Sequence, residues 1–182
     1  MIQQKFNFFC QSLSDFNPDH VILMQHGGVI ARRDWIPEKP QNQFSLSKSF
    51  TGTALAFALE EGILHMEDRV VDHFADKLPS HVSPRLEKLN LNHLMTMTVG
   101  QVKPLLMGNS RHALQTKDWA SYVLNQPLED EPGTTFLYSN TGPYLAGIML
   151  EQKTGMSLAE YLMPRLFEPL GIEMPEWETD PE

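Results

Sequence analysis

Ser45 and Lys48 lie three residues apart in the stretch NQFSLSKSFTG (residues 42–52), at the start of an expected helix. Side chains at that spacing share a helical face, so the amine and the hydroxyl can meet. A serine hydroxyl is a weak nucleophile until a base takes its proton. A lysine can be that base where burial or a neighbouring cation lowers its pKa. The helix start would also offer unpaired backbone N–H groups to a negative oxygen developing on a substrate carbonyl. Ser47 cannot partner Lys48 in this way, because adjacent helical residues point apart. Taken alone, the short Ser-x-x-Lys pattern is more readily explained by a serine acting as a helix N-cap.

A second pattern, FLYSNTG (136–142), changes that weighting. It follows a Pro-Gly turn and holds Tyr138 and Asn140. A phenol of pKa about 10, lowerable beside a lysine, can carry a proton to a leaving group. The amide of Asn140 both donates and accepts, so it can orient a substrate carbonyl or the lysine.

These residues must be positioned by the elements around them. Ile2, Phe6, Phe9, Leu13 and Phe16 recur at helical spacing and predict an opening amphipathic helix, ended by Asn17-Pro18-Asp19. VILMQ (21–25) and VIARRDW (29–35) flank His26-Gly27-Gly28 and predict a β-hairpin whose glycines take positive φ. Phe50, Ala54, Phe57 and Ala58 then predict a helix from Ser45 that Gly62 stops. Short helices are expected in 67–74, 90–97 and 117–125, with a long loop over 99–115. GPYLAGIMLEQKTG (142–155) predicts a helix with Pro143 in its first turn and Gly155 past its end. Ser157 and Glu160 form a capping box for the next helix. The acidic stretch EMPEWETDPE (173–182) is expected to be solvated.

Composition sets outer bounds. The 182 residues are 41% hydrophobic and 20% charged, an ordinary globular balance. A net charge of −9 without a basic block argues against a nucleic-acid partner. Cys10 is the single cysteine, so neither an internal disulfide nor a CxxC pattern is available. No run approaches the ~18 apolar residues of a membrane span. Nothing in the first residues resembles a signal peptide, so a cytoplasmic location is expected. His65, His73, His81 and His93 fit neither HExxH nor an i, i+4 ligand pair, and structural or surface roles are expected for them. His26 reads as turn chemistry, and Trp119 and Tyr122 as core. Arg111 and His112 lie in the irregular loop, where they could line a pocket.

Five blocks carry a resemblance: FSLSKSFTGTALAFALEEGIL (44–64), DRVVDHF (68–74), LNHLMTMTVG (91–100), EPGTTFLYSNTGPYLAGIMLEQKTGMSLAEYL (131–162) and RLFEPLGI (165–172). Together they resemble the class C β-lactamase-like serine hydrolases, a family that includes β-lactamase-related esterases and D-amino-acid peptidases. The likeness runs from about Val21 to Trp177, with Val99 standing where the family commonly has serine. It implies an α+β, β-lactamase/transpeptidase-like fold. Residues 1–44 would give a helix and β-hairpin, and 45–182 a mainly helical subdomain carrying both motifs. It also implies Ser45 as acylated nucleophile, Lys48 as its proton partner, Tyr138 as general acid/base and Asn140 as a substrate-positioning amide. The implied substrate is a small ester, amide or lactam, with no metal or organic cofactor.

Such enzymes carry a third box, Lys-Thr-Gly or His-x-Gly, on a later strand. Lys153-Thr154-Gly155 matches in letters only, since it closes an apolar-periodic helix and Gly155 stands at the C′ position. The remaining sheet strands are therefore expected to be absent and the fold incomplete. Loss of an oxyanion donor costs on the order of 10²–10³ in rate, so activity of the chain alone is expected to be impaired. A hairpin without a third strand leaves open edges, and self-association is expected. The alternative is a non-catalytic module of the same fold that binds peptidoglycan or a protein.

Overall fold

The computed structural model describes residues 1–181, which form two compact units, Met1–Gln43 and the chain from Phe44 onwards. The first unit opens with helix α1 (Ile2–Ser12), followed by a 3₁₀ turn at Ser14–Phe16 and a left-handed Asn17, φ 46°. Strands β1 (His20–Gln25) and β2 (Gly28–Asp34) pair antiparallel, with His20 opposite Asp34 and Gln25 opposite Gly28. The turn differs in detail from the expectation. Its two left-handed residues are His26 (φ 50°) and Gly27 (φ 78°), and Gly28 already belongs to β2. Two successive positive φ values match the twist of a two-residue hairpin. Leu23 faces Ala31 while Met24 faces Val29, so Ile30 is the extra residue of a β-bulge.

Phe6 and Cys10 of α1 pack against Ala31, with Val21 beside them. The expected five-residue stripe is only partly buried: Phe9 and Phe16 are 50% and 78% exposed. The helix stops at Ser12, so Phe16 leaves its phase, and a three-turn helix on one hairpin covers little more than one line of contact.

In the second unit, a 3₁₀ turn at Phe44–Leu46 leads into helix α2 (Ser47–Glu60). The α-helix thus begins two residues later than predicted, and Ser45 sits in the turn before it. Residues 44–46 take the tighter 3₁₀ turn, which Phe44 opens with a left-handed φ of 47°. Next come α3 (Val70–His73), α4 (Pro84–Lys88) and α5 (Leu91–Met95). After a loop with a 3₁₀ segment at Gly108–Ala113 follow α6 (Trp119–Leu124), α7 (Thr141–Thr154) and α8 (Leu158–Leu162). A wide π turn, Met163–Phe167, and a 3₁₀ turn, Glu168–Leu170, extend α8.

α2 packs on α7 and α8, and α5 packs on α7. Ala54, Leu55 and Ala58 meet Leu91, Leu94, Leu145, Met149, Leu150 and Leu162 in one core. Each fully buried leucine is worth roughly 2 kcal/mol of transfer free energy. Trp119 belongs to this core and Tyr122 is half-buried against it. Arg165 reaches Glu61 with two hydrogen bonds, 2.7 and 2.9 Å, and stacks 3.9 Å over the Tyr161 ring, fastening the end of α2 to α8. His93 has a capping role. Asn90 Oδ1 accepts the His93 backbone N–H at 3.2 Å, and His93 Nδ1 accepts that of Asn90 at 3.3 Å. At the far end of α7, Gly155 is left-handed (φ 69°), so Lys153-Thr154-Gly155 is a helix ending here.

The acidic stretch is not merely solvated. Trp177 packs against the core, its ring edge-on to Phe50 at 6.5 Å. Glu178 pairs with Arg111 at 2.6 Å and lies 3.6 Å from His112, and Tyr144 donates its hydroxyl to Asp180. Arg111 and His112 are thus engaged by this segment.

The tightest backbone approach is at Gly142, where any Cβ would overlap the carbonyl of Leu94. Rigid backbone stands on both sides, so relief requires α5 and α7 to separate. Gly142→Ala should cost about 1–3 kcal/mol and lower the melting temperature by several degrees. Thermal unfolding followed by circular dichroism checks this, and an unchanged midpoint would contradict the close approach.

Candidate active site

The 3₁₀ turn and the first turn of α2 bring the predicted pair together. Lys48 Nζ donates to Ser45 Oγ at 3.1 Å. Ser47 is engaged elsewhere, its Oγ donating to the Phe44 carbonyl at 2.7 Å and tightening the turn. Of the serines in this stretch, Ser45 is therefore the one presented to the amine. Tyr138 comes to the same place, with Lys48 Nζ 5.0 Å from its ring centroid. The neighbouring Ser45 hydroxyl is the largest influence on the phenol and lowers its pKa below the ordinary tyrosine range. Desolvation opposes this, and the nearby Lys48 ammonium adds to the lowering.

Tyr138 lies in a segment without regular structure, so its position depends on cross-links to the loop that follows α5. Gly133 N–H donates to Thr98 O at 2.8 Å, Leu137 N–H to Met97 O at 3.0 Å and Asn140 N–H to Leu105 O at 3.3 Å. Ser139, buried between Tyr138 and Asn140, accepts the Leu105 N–H at 3.1 Å and the Thr141 N–H at 3.2 Å. Thr141 Oγ1 donates to Gln101 Oε1 at 2.9 Å, and Gln101 Nε2 donates to Val123 O of α6 at 3.1 Å. Among the described residues no buried side-chain polar atom lacks a partner. Ser139, Thr141 and Gln101 went unrecognised in the sequence. The alternating Ser139-x-Thr141 hydroxyls on either side of Asn140 are the one available signal.

Asn140 comes to the same end of α7 but faces the loop. Its Nδ2 donates to the Leu106 carbonyl at 2.6 Å, and its own carbonyl accepts the Tyr144 N–H at 3.2 Å. Beside Lys48, a depression of about 60 Å³ is floored by Gly52, Leu94, Met97 and Pro143. That is well below the ~300–1,000 Å³ of small-molecule pockets.

The Beta-lactamase family model matches residues 12–182 of the chain. The chain belongs to the Beta-lactamase family. Within that family it is 31% identical to Penicillin-binding protein 4* of Bacillus subtilis (strain 168), over 83% of this chain and 34% of that protein. It is 29% identical to a Beta-lactamase of Yersinia enterocolitica, over 71% of this chain and 31% of that protein. This Beta-lactamase-family chain thus spans about a third of the length of these curated relatives. In fold it matches an octameric penicillin-binding protein homologue from Pyrococcus abyssi, with TM-score 0.69 and 23% identity, over 93% of this chain and 43% of that one. A putative 6-aminohexanoate-dimer hydrolase from Bacillus anthracis matches with TM-score 0.64 and 22% identity, over 86% of this chain and 45% of that one. The fold class is thus α+β with the β-lactamase/penicillin-binding-protein architecture, represented by helices and a two-stranded sheet.

The setting of the Tyr138 phenol has a direct optical consequence. Of the four tyrosines, Tyr138 should ionise at a pH below the ordinary value of about 10. Because the Ser45 hydroxyl is the largest cause, Ser45→Ala should raise that pKa back toward the ordinary value. Tyrosinate absorbance during a pH titration, with Tyr138→Phe to assign the step, measures it. A step unmoved in Ser45→Ala would contradict the contact.

Proposed function

We propose that the chain carries the acylation half-site of a serine hydrolase acting on a small ester, amide or lactam. The observation that carries this reading is the Ser45–Lys48 hydrogen bond of 3.1 Å, with the Tyr138 ring centroid 5.0 Å from the same amine. Ser45 Oγ attacks the substrate carbonyl, and its proton passes to the Lys48–Tyr138 pair. The tetrahedral intermediate collapses with cleavage of the carbonyl–leaving-group bond, and the pair returns the proton to the departing oxygen or nitrogen. Water then attacks the Ser45 ester, releasing the acid and restoring the hydroxyl. Asn140 has a second amide hydrogen and a carbonyl oxygen with which to position the substrate, while its bond to Leu106 fixes its orientation.

Family membership supports a serine hydrolase in general terms. The names of relatives span a penicillin-binding protein, a β-lactamase, a putative D-alanyl-D-alanine carboxypeptidase and a putative 6-aminohexanoate-dimer hydrolase, which supports a carbonyl substrate as a class. An oxyanion donor beyond those near Ser45 would be worth on the order of 10²–10³ in rate.

Intact-mass measurement after exposure to a fluorophosphonate and to a penicillin tests the reading. A covalent adduct is expected, with loss of labelling in Ser45→Ala and a drop of roughly 10²-fold or more in its rate in Lys48→Met. Absence of any adduct together with saturable binding of peptidoglycan fragments would replace this reading with the non-catalytic binding module.

The hairpin supports self-association as a further part of the proposal. Both edges of its two-stranded sheet are unpaired among the described residues, and Met24 and Val29 are each 58% exposed. Sedimentation velocity should show a concentration-dependent oligomer, and a strictly monomeric protein across the concentration range would contradict it.

A further inference from the structure

The segment 177–180 crosses the helical unit and is attached at three points. Trp177 sets its ring against Phe50, two residues along α2 from Lys48, and Phe50 in turn lies 5.6 Å from Phe167. Glu178 holds Arg111 at 2.6 Å, with His112 at 3.6 Å. Asp180 accepts the hydroxyl of Tyr144. The attachments close on themselves through stacked rings: His112 is edge-on to Trp119 at 6.4 Å, and Trp119 lies 6.3 Å from Tyr144.

Two separate routes lead from this segment to Asn140. The first runs through the loop. Arg111 belongs to the 3₁₀ segment Gly108–Ala113, and the chain just before it holds Asn140 and Ser139 through Leu105 and Leu106. The second runs through α7, where Tyr144 gives its hydroxyl to Asp180 and its backbone N–H to the Asn140 carbonyl. Asn140 and Tyr138 sit in a stretch with no helix or strand to stiffen it, so both depend on what holds that loop.

We propose that residues 177–180 form a strap that fixes the 105–113 loop, making Glu178 and Arg111 positioning residues for Asn140 and Tyr138. This rests on the reading of Tyr138 and Asn140 as parts of an acyl-transfer site. Neither Glu178 nor Arg111 touches the reacting groups. They act through the Leu105 and Leu106 carbonyls and the Ser139 hydroxyl.

The test is a charge-reversal set, Arg111→Glu, Glu178→Arg and both together, followed by hydrogen exchange and mass spectrometry on the full chain. In each single variant, peptides covering 105–113 and 137–141 should exchange about fivefold faster, the scale of one partly exposed ion pair. Peptides of α2, α5 and α8 should be unchanged, and the double variant should return toward the parent. Fluorophosphonate labelling of Ser45 should slow by a similar factor in the singles and recover in the double. Unchanged exchange at 137–141 in both singles overturns the strap. So does equal acceleration throughout the core, which would mark a general loss of stability, and so does a double variant with no recovery. Exchange is read without any chemistry at Ser45. A failure of the hydrolase reading, seen as labelling that persists in Ser45→Ala or is absent in the parent, therefore leaves the exchange result to decide the strap.

Discussion

The backbone of α7 at Gly142 rests against the carbonyl of Leu94, and this contact joins the core of the helical unit to the candidate site. Only a residue without a Cβ permits it. α5 and α7 are thereby locked at close range, and the apolar faces carrying Leu91, Leu94, Leu145 and Met149 meet without a gap. Two residues upstream of Gly142 is Asn140, and four upstream is Tyr138. The position of both is thus referred to the same backbone contact that sets the core spacing. α2 packs on α7 as well, so Lys48 is referred to it too.

The site is built from two kinds of support. Ser45 and Lys48 depend on a short local turn, which opens at the left-handed Phe44 and carries the Ser47 hydroxyl on its carbonyl. Tyr138 depends on a long seam of hydrogen bonds between 97–106 and 130–141, closed by the buried hydroxyls of Ser139 and Thr141 and the amide of Gln101. Removing one partner from such a buried network leaves the others unsatisfied, at a cost of about 1–3 kcal/mol each. That cost makes the seam an all-or-none structure and keeps an otherwise irregular segment in one conformation.

What could be read in advance follows the range of the interaction. The Ser157–Glu160 capping box, Pro143 in the first turn of α7 and Gly155 after its end are decided within a few residues, and each stands where it was expected. Ser45 and Lys48 were legible for the same reason: three residues separate them, and one helical turn brings them together. The α-helix starts two residues later than the spacing predicts because residues 44–46 take a 3₁₀ turn, which apolar spacing does not distinguish from a first α-helical turn. The pairing of Glu178 with Arg111 spans 67 residues, and that of Asn140 with the Leu106 carbonyl spans 34, so no periodicity announces them. The stripe on α1 was overread because periodicity reports which residues could be buried, not how wide a surface is there to bury them.

The wide turn at Met163–Phe167 has a consequence for how this chain can change length. It holds one more residue per turn than an α-helix, with Pro164 inside it. Removing a single residue there would swing everything after it by about 100° around the helix axis. Arg165 would leave Glu61, and Phe167 would leave Phe50. The turn thus acts as a phase counter for the residues that follow it.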